Sequence, residues 1–215
     1  MEIVWYGLSC FKLSERGLAT VVTDPFGPEV GLPALKLKAE IVTISHDSPG
    51  HNFVKAVKGE RRVIAGPGEF EIGGTFVTGI AMGERKGRKN GAQPNTIYLF
   101  DFEGVSVAHF GDLATVPSQA QIEELGAVGV ALVPVGGGSA LSSSQAAEVI
   151  SMIEPSIVIP MHYKTGQLDL KLGTVNRFLS EMGIKDVEPR SSLKVSASDL
   201  GEDTHVVVLE PTMKE

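Results

Sequence analysis

Apolar residues in this chain come in short, β-branched runs, each stopped within a few residues by glycine, proline or a charged cluster. Runs of that length and composition cannot build long helices, and they predict a protein made chiefly of sheets. Strands are predicted over residues 3–6, 10–13, 20–24, 41–45, 63–65, 75–80, 96–101, 105–110, 129–135, 157–161 and 206–209. Phe102-Glu103-Gly104 reads as a hairpin link between two of them. Helical periodicity is confined to few places. Ala146, Val149, Ile150 and Ile153 recur at helix spacing behind Ser142-Ser143-Ser144, and Leu168, Leu172, Val175, Leu179 and Met182 do so ahead of Gly183. Shorter helices are predicted over 51–58 and 117–125. Hairpins come first and strand–helix alternation follows, which predicts sheets covered by helices in one layered α/β domain spanning residues 1–215.

Charge and cysteine usage narrow the function classes. Nineteen Lys and Arg against 26 Asp and Glu leave a formal charge of −7. A broad phosphate-backbone footprint needs a basic face, so nucleic acid is not an expected partner. The one basic cluster, Arg85-Lys86-Gly87-Arg88-Lys89, reads as a solvated loop. No apolar run is long enough for a membrane span, and Met1-Glu2-Ile3-Val4-Trp5 does not resemble a secretory leader. Cys10 is the only cysteine and reads as a small core residue; a chain without disulfides is expected in the cytoplasm. A homo-oligomer is left open.

The histidines carry the functional argument. Of the five, His46, His51, His109 and His162 sit at or just after predicted strand ends, where layered folds place their functional loops. His46 closes one buried strand and His51 follows the Pro49-Gly50 turn, so both can face one point above a sheet edge. Asp112 leaves another strand past Gly111, and His162 ends a third. Imidazoles and a carboxylate delivered by rigid strands from distant sequence make a candidate metal cage. His205 reads as structural or exposed. Other signatures fail on context. Gly66-Pro67-Gly68 precedes strand-like sequence rather than a helix, and no Gly-x-Ser-x-Gly elbow is present. Gly136-Gly137-Gly138-Ser139 precedes a serine-capped helix whose amides could hold an anion, but it reads slightly better as a connector.

Thr23-Asp24-Pro25-Phe26, the turn from Ser45 to Asn52, Gly66-Pro67-Gly68-Glu69-Phe70-Glu71, Asn95-Thr96-Ile97-Tyr98, His109-Phe110-Gly111-Asp112, Pro134-Val135-Gly136-Gly137 and Ile159-Pro160-Met161-His162-Tyr163 together resemble the metallo-β-lactamase superfamily. Within it they are similar to the branch of ascorbate-phosphate lactonases. The resemblance implies a four-layer αββα sandwich with its site at one sheet edge. It also implies a two-metal signature H-x-H-x-D-H, a lone His, a bridging Asp and a final His. Here Ser48 stands where the second His belongs, Gly50 replaces the Asp, and no His lies near Ala81-Met82-Gly83-Glu84. His46, His51, Asp112 and His162 remain.

On that resemblance, the expected centre holds one divalent metal on His51, Asp112 and His162, with zinc foremost and iron or manganese as alternatives. His46 and Asp24 are the expected catalytic pair, managing protons or orienting ligands. Asp47 points away in such a turn unless Pro49-Gly50 is rearranged, and His109 is placed to orient Asp112. The implied activity is hydrolysis of a small ester, lactone or phosphorylated metabolite by a metal-activated water. The competing reading is a non-catalytic binding or assembly protein without a metal, and the substitutions at Ser48 and Gly50 speak for it.

Overall fold

A computed structural model of the protein describes residues 1–82, 95–166 and 168–212. The basic cluster at 85–89 lies outside them. The elements run β1 (Glu2–Gly7), β2 (Cys10–Ser14), β3 (Val21–Thr23), β4 (Leu37–Lys38), β5 (Ile41–Thr43), β6 (Val57–Lys58) and β7 (Arg62–Ile64). Then come β8 (Gly68–Ile72), β9 (Thr75–Met82), β10 (Asn95–Phe102), β11 (Val105–His109), α1 (Gln119–Leu125), β12 (Val130–Pro134) and α2 (Ser143–Ile153). The chain closes with β13 (Ile157–Met161), α3 (Val175–Glu181), β14 (Leu193–Lys194) and β15 (His205–Val206).

Two mixed sheets face each other. The first has the order β14-β1-β2-β3-β5-β7 and the second β15-β13-β12-β11-β10-β9-β8, with β4 and β6 as a separate parallel ribbon. Each sheet is antiparallel on one side and parallel on the other: β3, β5 and β7 run parallel, as do β11, β12, β13 and β15. Strand alternation sorts the side chains. Val21 and Ile41 enter the main apolar cluster with Trp5, Phe11 and Phe100, while Val22 and Val42 enter a second cluster with Phe26, Val30 and Leu32. β12 and β13 are buried at every residue because both of their faces are covered. Ile122, Val149, Ile150 and Phe178 from α1, α2 and α3 pack into the main cluster. Serine caps start two of these helices: Ser118 and Ser142 each form a reciprocal capping box with the glutamine three residues on.

The result is the αββα plan, with its helical layer on the second sheet. Over the first sheet the cover consists of 3-10 turns at Pro28–Val30 and Val54–Ala56 and the β4/β6 ribbon. The helix predicted over 51–58 is therefore a turn, a 3-10 turn and a short strand. Tertiary bonds override it: Phe53 donates its N–H to Pro25 O, and Val57 pairs with Leu37. The second periodic stretch is helical only from Val175, because Gly173 donates to Gly136 O and leaves the backbone unavailable for an earlier turn. β8 went unpredicted; its Glu69 and Glu71 are exposed while Phe70 packs against the core.

Tyr98 pins the sheets together at the edge where the site lies. Its ring is fully buried on β10, and its phenol reaches the first sheet: it accepts from Gly66 N at 2.8 Å and lies 3.0 and 3.1 Å from the carbonyls of Ile44 and Ile64. Burial pushes the phenol up to about 12, so it stays protonated and can donate. Tyr98→Phe leaves the partners without their bond and is expected to cost about 1–3 kcal/mol. Urea unfolding of the two proteins measures it; an unchanged midpoint would show that the phenol does not hold the sheets together.

Candidate metal centre

The parallel strands of both sheets deliver their carboxyl ends to the same edge, the usual place for a site in a mixed sheet. From the first sheet, β3 leads directly to Asp24 and β5 runs on into Ser45 and His46, with His51 closing the turn. From the second, β11 leads to Asp112 and β13 to His162. Asp24 and His162 take positive φ, 37° and 52°, which turns each side chain sharply off its strand. Gly111, at φ 59°, does the same for Asp112, and a Cβ there would run into Ser45 and the Asn95 side-chain oxygen.

Asp24 is the buried anchor, with no exposed surface. Its Oδ1 accepts from Ser45 N at 2.7 Å; its Oδ2 accepts from Ser45 Oγ at 2.5 Å and faces His51 Nδ1 at 2.9 Å. Burial alone would raise this carboxyl, but the bond to His51, the adjacent His109 and Ser45 outweigh it and hold it below the ordinary value. An ionised carboxylate only accepts, so His51 carries its proton on Nδ1 and keeps the lone pair on Nε2.

His46, His51 and Asp112 each offer a ligand atom within 4.8 Å of the others. His46 Nε2 lies 3.7 Å from Asp112 Oδ2, and the His46 and His51 rings stand 4.3 Å apart. His162 approaches the other carboxylate oxygen, with Nε2 at 3.7 Å from Asp112 Oδ1. That oxygen is buried without a hydrogen-bond partner among the described residues. Burial depresses both His46 and, to about 4, His162, so neither ring is charged at neutral pH. Lone pairs and a carboxylate thus converge, and none of the described residues lies within hydrogen-bond distance of Asp112 Oδ1. Two imidazoles with one carboxylate are a donor set that suits a divalent cation, and the residues fit one.

The structure brings together all four residues retained from the signature, but the mutually close set contains His46 and leaves His162 outside it. Asp24 is fully buried behind His51; His46 and Asp112 keep 7% and 9% of their side-chain surface exposed. The 46–51 segment is tight: Ser48 donates its N–H to His46 O, and His51 donates to Ser48 O. A Cβ at Gly50 would point at Leu8 and Val30, so this position faces apolar packing. Asp47 remains outside, exposed and bonded to Asn52.

His109 does not orient Asp112, contrary to expectation. Its Nε2 donates instead to Ser9 O at 2.8 Å, within the core. Asp112 is held by two residues that sequence reasoning passed over. Asn95 accepts its N–H at 3.0 Å while donating to Phe110 O, and Ser139 donates to its Oδ2 at 2.6 Å. The glycine-rich loop is accordingly a built connector that presents Ser139. Ser45 was missed as well. Its signal was its place directly before His46; amides and hydroxyls carry no comparable mark elsewhere.

The β-lactamase superfamily domain profile matches residues 2–162. The chain is similar to a crystal structure from Thermotoga maritima, described as a candidate Zn-dependent hydrolase of the metallo-β-lactamase superfamily. The two share 35% identity and a TM-score of 0.79 over 97% of each chain. It is 29% identical to a UPF0173 metal-dependent hydrolase of Methanoculleus marisnigri, over 96% of this chain and 97% of that one. A UPF0173 protein of Pyrococcus furiosus is 31% identical over 77% of this chain and 84% of its own.

His109 gives the buried edge of the site a pH signature. A carbonyl can only accept, so its proton sits on Nε2, and Nδ1 is buried without a partner among the described residues. Burial lowers its pKa from 6.5 against the pull of Asp24 and the Ser9 bond. Below 6.5 the unfolded chain takes up a proton that the folded chain resists, so this stability is present above 6.5 and lost as pH falls through the folded value. In metal-stripped protein the urea midpoint should fall as pH is lowered from neutrality, and more shallowly for His109→Gln. Equal slopes would refute this account.

Proposed function

Because this chain belongs to the β-lactamase superfamily, we propose that it is a metal-dependent hydrolase of a small ester, lactone or phosphorylated metabolite. The observation that carries the reading is the convergence of His46, His51 and Asp112 donor atoms within 4.8 Å. The description of its relatives as metal-dependent hydrolases supports it. These three residues would hold one divalent cation, zinc foremost, with iron or manganese as alternatives. Such a cation supplies Lewis acidity and lowers the pKa of a coordinated water towards neutrality.

The chain's own residues prepare that chemistry. Asp24 fixes the His51 ring through Nδ1, which leaves Nε2 as the nitrogen free to bind. Ser139 and Asn95 hold the Asp112 carboxylate and backbone in place. His46 passes from the expected proton-carrying role into the ligand set, and Asp24 acts through His51 rather than on substrate. His162, kept neutral by burial, faces the other Asp112 oxygen at 3.7 Å, beyond hydrogen-bond distance. The net charge of −7 supports a small-molecule substrate over nucleic acid. Among the described residues no helix is long and apolar enough to cross a membrane. A second reading, a non-catalytic binding or assembly protein, is favoured by Ser48 and by the apolar surroundings of Gly50, which leave no donors where relatives of the superfamily carry them.

Metal analysis by inductively coupled plasma mass spectrometry, on protein purified without a chelating column, separates the two. About one metal per chain is expected, lost in His46→Ala, His51→Ala and Asp112→Ala but retained in His162→Ala. Loss in His162→Ala with retention in His46→Ala would return the ligand set to His51, Asp112 and His162. Wild-type protein that takes up no zinc, iron or manganese would overturn the hydrolase. With metal bound, a panel of lactones, esters and phosphoesters tests turnover, and His51→Ala should abolish it.

A further inference from the structure

Ser45 is almost completely buried, and every polar group it has is committed. Its N–H goes to Asp24 Oδ1 at 2.7 Å and its carbonyl accepts from Thr96 N at 2.8 Å, which ties it to both sheets. Its hydroxyl lies 2.5 Å from Asp24 Oδ2 and 3.2 Å from His46 Nδ1. A hydroxyl owns one proton, and a carboxylate can only accept. The proton therefore goes to Asp24, and towards His46 the serine oxygen has only a lone pair to offer. The bond to His46 forms only if that ring carries its proton on Nδ1. Neutral histidine in water ordinarily favours the opposite tautomer, so the arrangement imposes a choice.

We infer that Ser45 is a positioning residue that commits His46 to presenting an unprotonated Nε2 beside Asp112, so that the single carboxylate of Asp24 orients both imidazoles. His51 is set by direct contact and His46 through the serine hydroxyl. Both rings then aim their lone pairs at the same point. The consequence for metal affinity rests on the cation site proposed above; the tautomer does not.

The test uses metal-stripped, 15N-histidine-labelled full chain at about pH 8, where imidazoles are neutral. Two-bond 1H–15N correlation spectra report which ring nitrogen is protonated. In wild-type protein both His46 and His51 should be protonated on Nδ1. In Ser45→Ala, His46 should move to the Nε2-protonated form while His51, still bonded to Asp24, stays unchanged. A merely structural serine would not produce that selective switch. Calorimetric zinc titration should then show affinity about 10–100-fold weaker in Ser45→Ala, as for loss of a group that orients a ligand.

Wild-type His46 protonated on Nε2 would overturn the inference, and so would a Ser45→Ala spectrum with His46 unmoved. Should the variant fail to fold, the wild-type spectrum alone decides the tautomer. Wild-type protein with both rings protonated on Nδ1 but no affinity for zinc would sustain the role of Ser45 and overturn the metal site instead.

Discussion

A carboxylate with no exposed surface lies beneath this site, and the site's geometry follows from what it costs to keep it there. Burying an unpaired charge is prohibitive, so Asp24 can stay ionised only while its oxygens are fully engaged. Ser45 supplies two of the donors and His51 the third. Satisfying Asp24 thereby fixes the end of β5, the direction in which the chain leaves it, and the ring that closes the following turn. The backbone of Asp24 itself sits at φ 37°, a conformation an L-residue adopts only when its surroundings over-determine it. The order of the site is thus a by-product of paying for one buried charge.

How much of this was legible follows from which features have a period or an intrinsic chemistry. Strands alternate every two residues, so Val21 and Val22, or Ile41 and Val42, announce two faces and hence a sheet covered on both sides. The His46, His51, Asp112 and His162 positions could be read because imidazole and carboxylate side chains at strand ends carry their chemistry with them. Ser45, Asn95 and Ser139 could not, since serine and asparagine are common and their roles exist only as distances between segments. The misread helix over 51–58 has a related cause: its fate was decided by Pro25 and Leu37, far away in sequence. His109 shows the reverse error. A histidine three residues before a candidate ligand carboxylate invited a functional role, but the strand turns it into the core, where it bonds Ser9.

Ser48 and Gly50 are better understood from the turn than as isolated losses. With Ser48 O accepting from His51 N, the segment closes on itself and brings the His46 and His51 rings to 4.3 Å. His46, His51 and Asp112 thus offer their donor atoms at one locus. These donors lie within 4.8 Å of one another although Ser48 and Gly50 supply none between them. That is why a depleted signature does not by itself argue for a dead site.

The donors of this locus also come from opposite halves of the sandwich: His46 and His51 follow β5 in the first sheet, and Asp112 follows β11 in the second. A cation held by all three would cross-link the sheets, and its binding energy would add to the stability of the packed sandwich. The seam is nevertheless held in register by the protein's own bonds. Thr96 N donates to Ser45 O and the Tyr98 phenol spans to Gly66, while Asn95 accepts from Asp112 N within the second sheet. Asn95, Thr96 and Tyr98 all lie on β10, so one strand spaces the two halves of the site. Little reorganisation would then be charged against metal binding, because the distance between the sheets is set by contacts in which the metal takes no part.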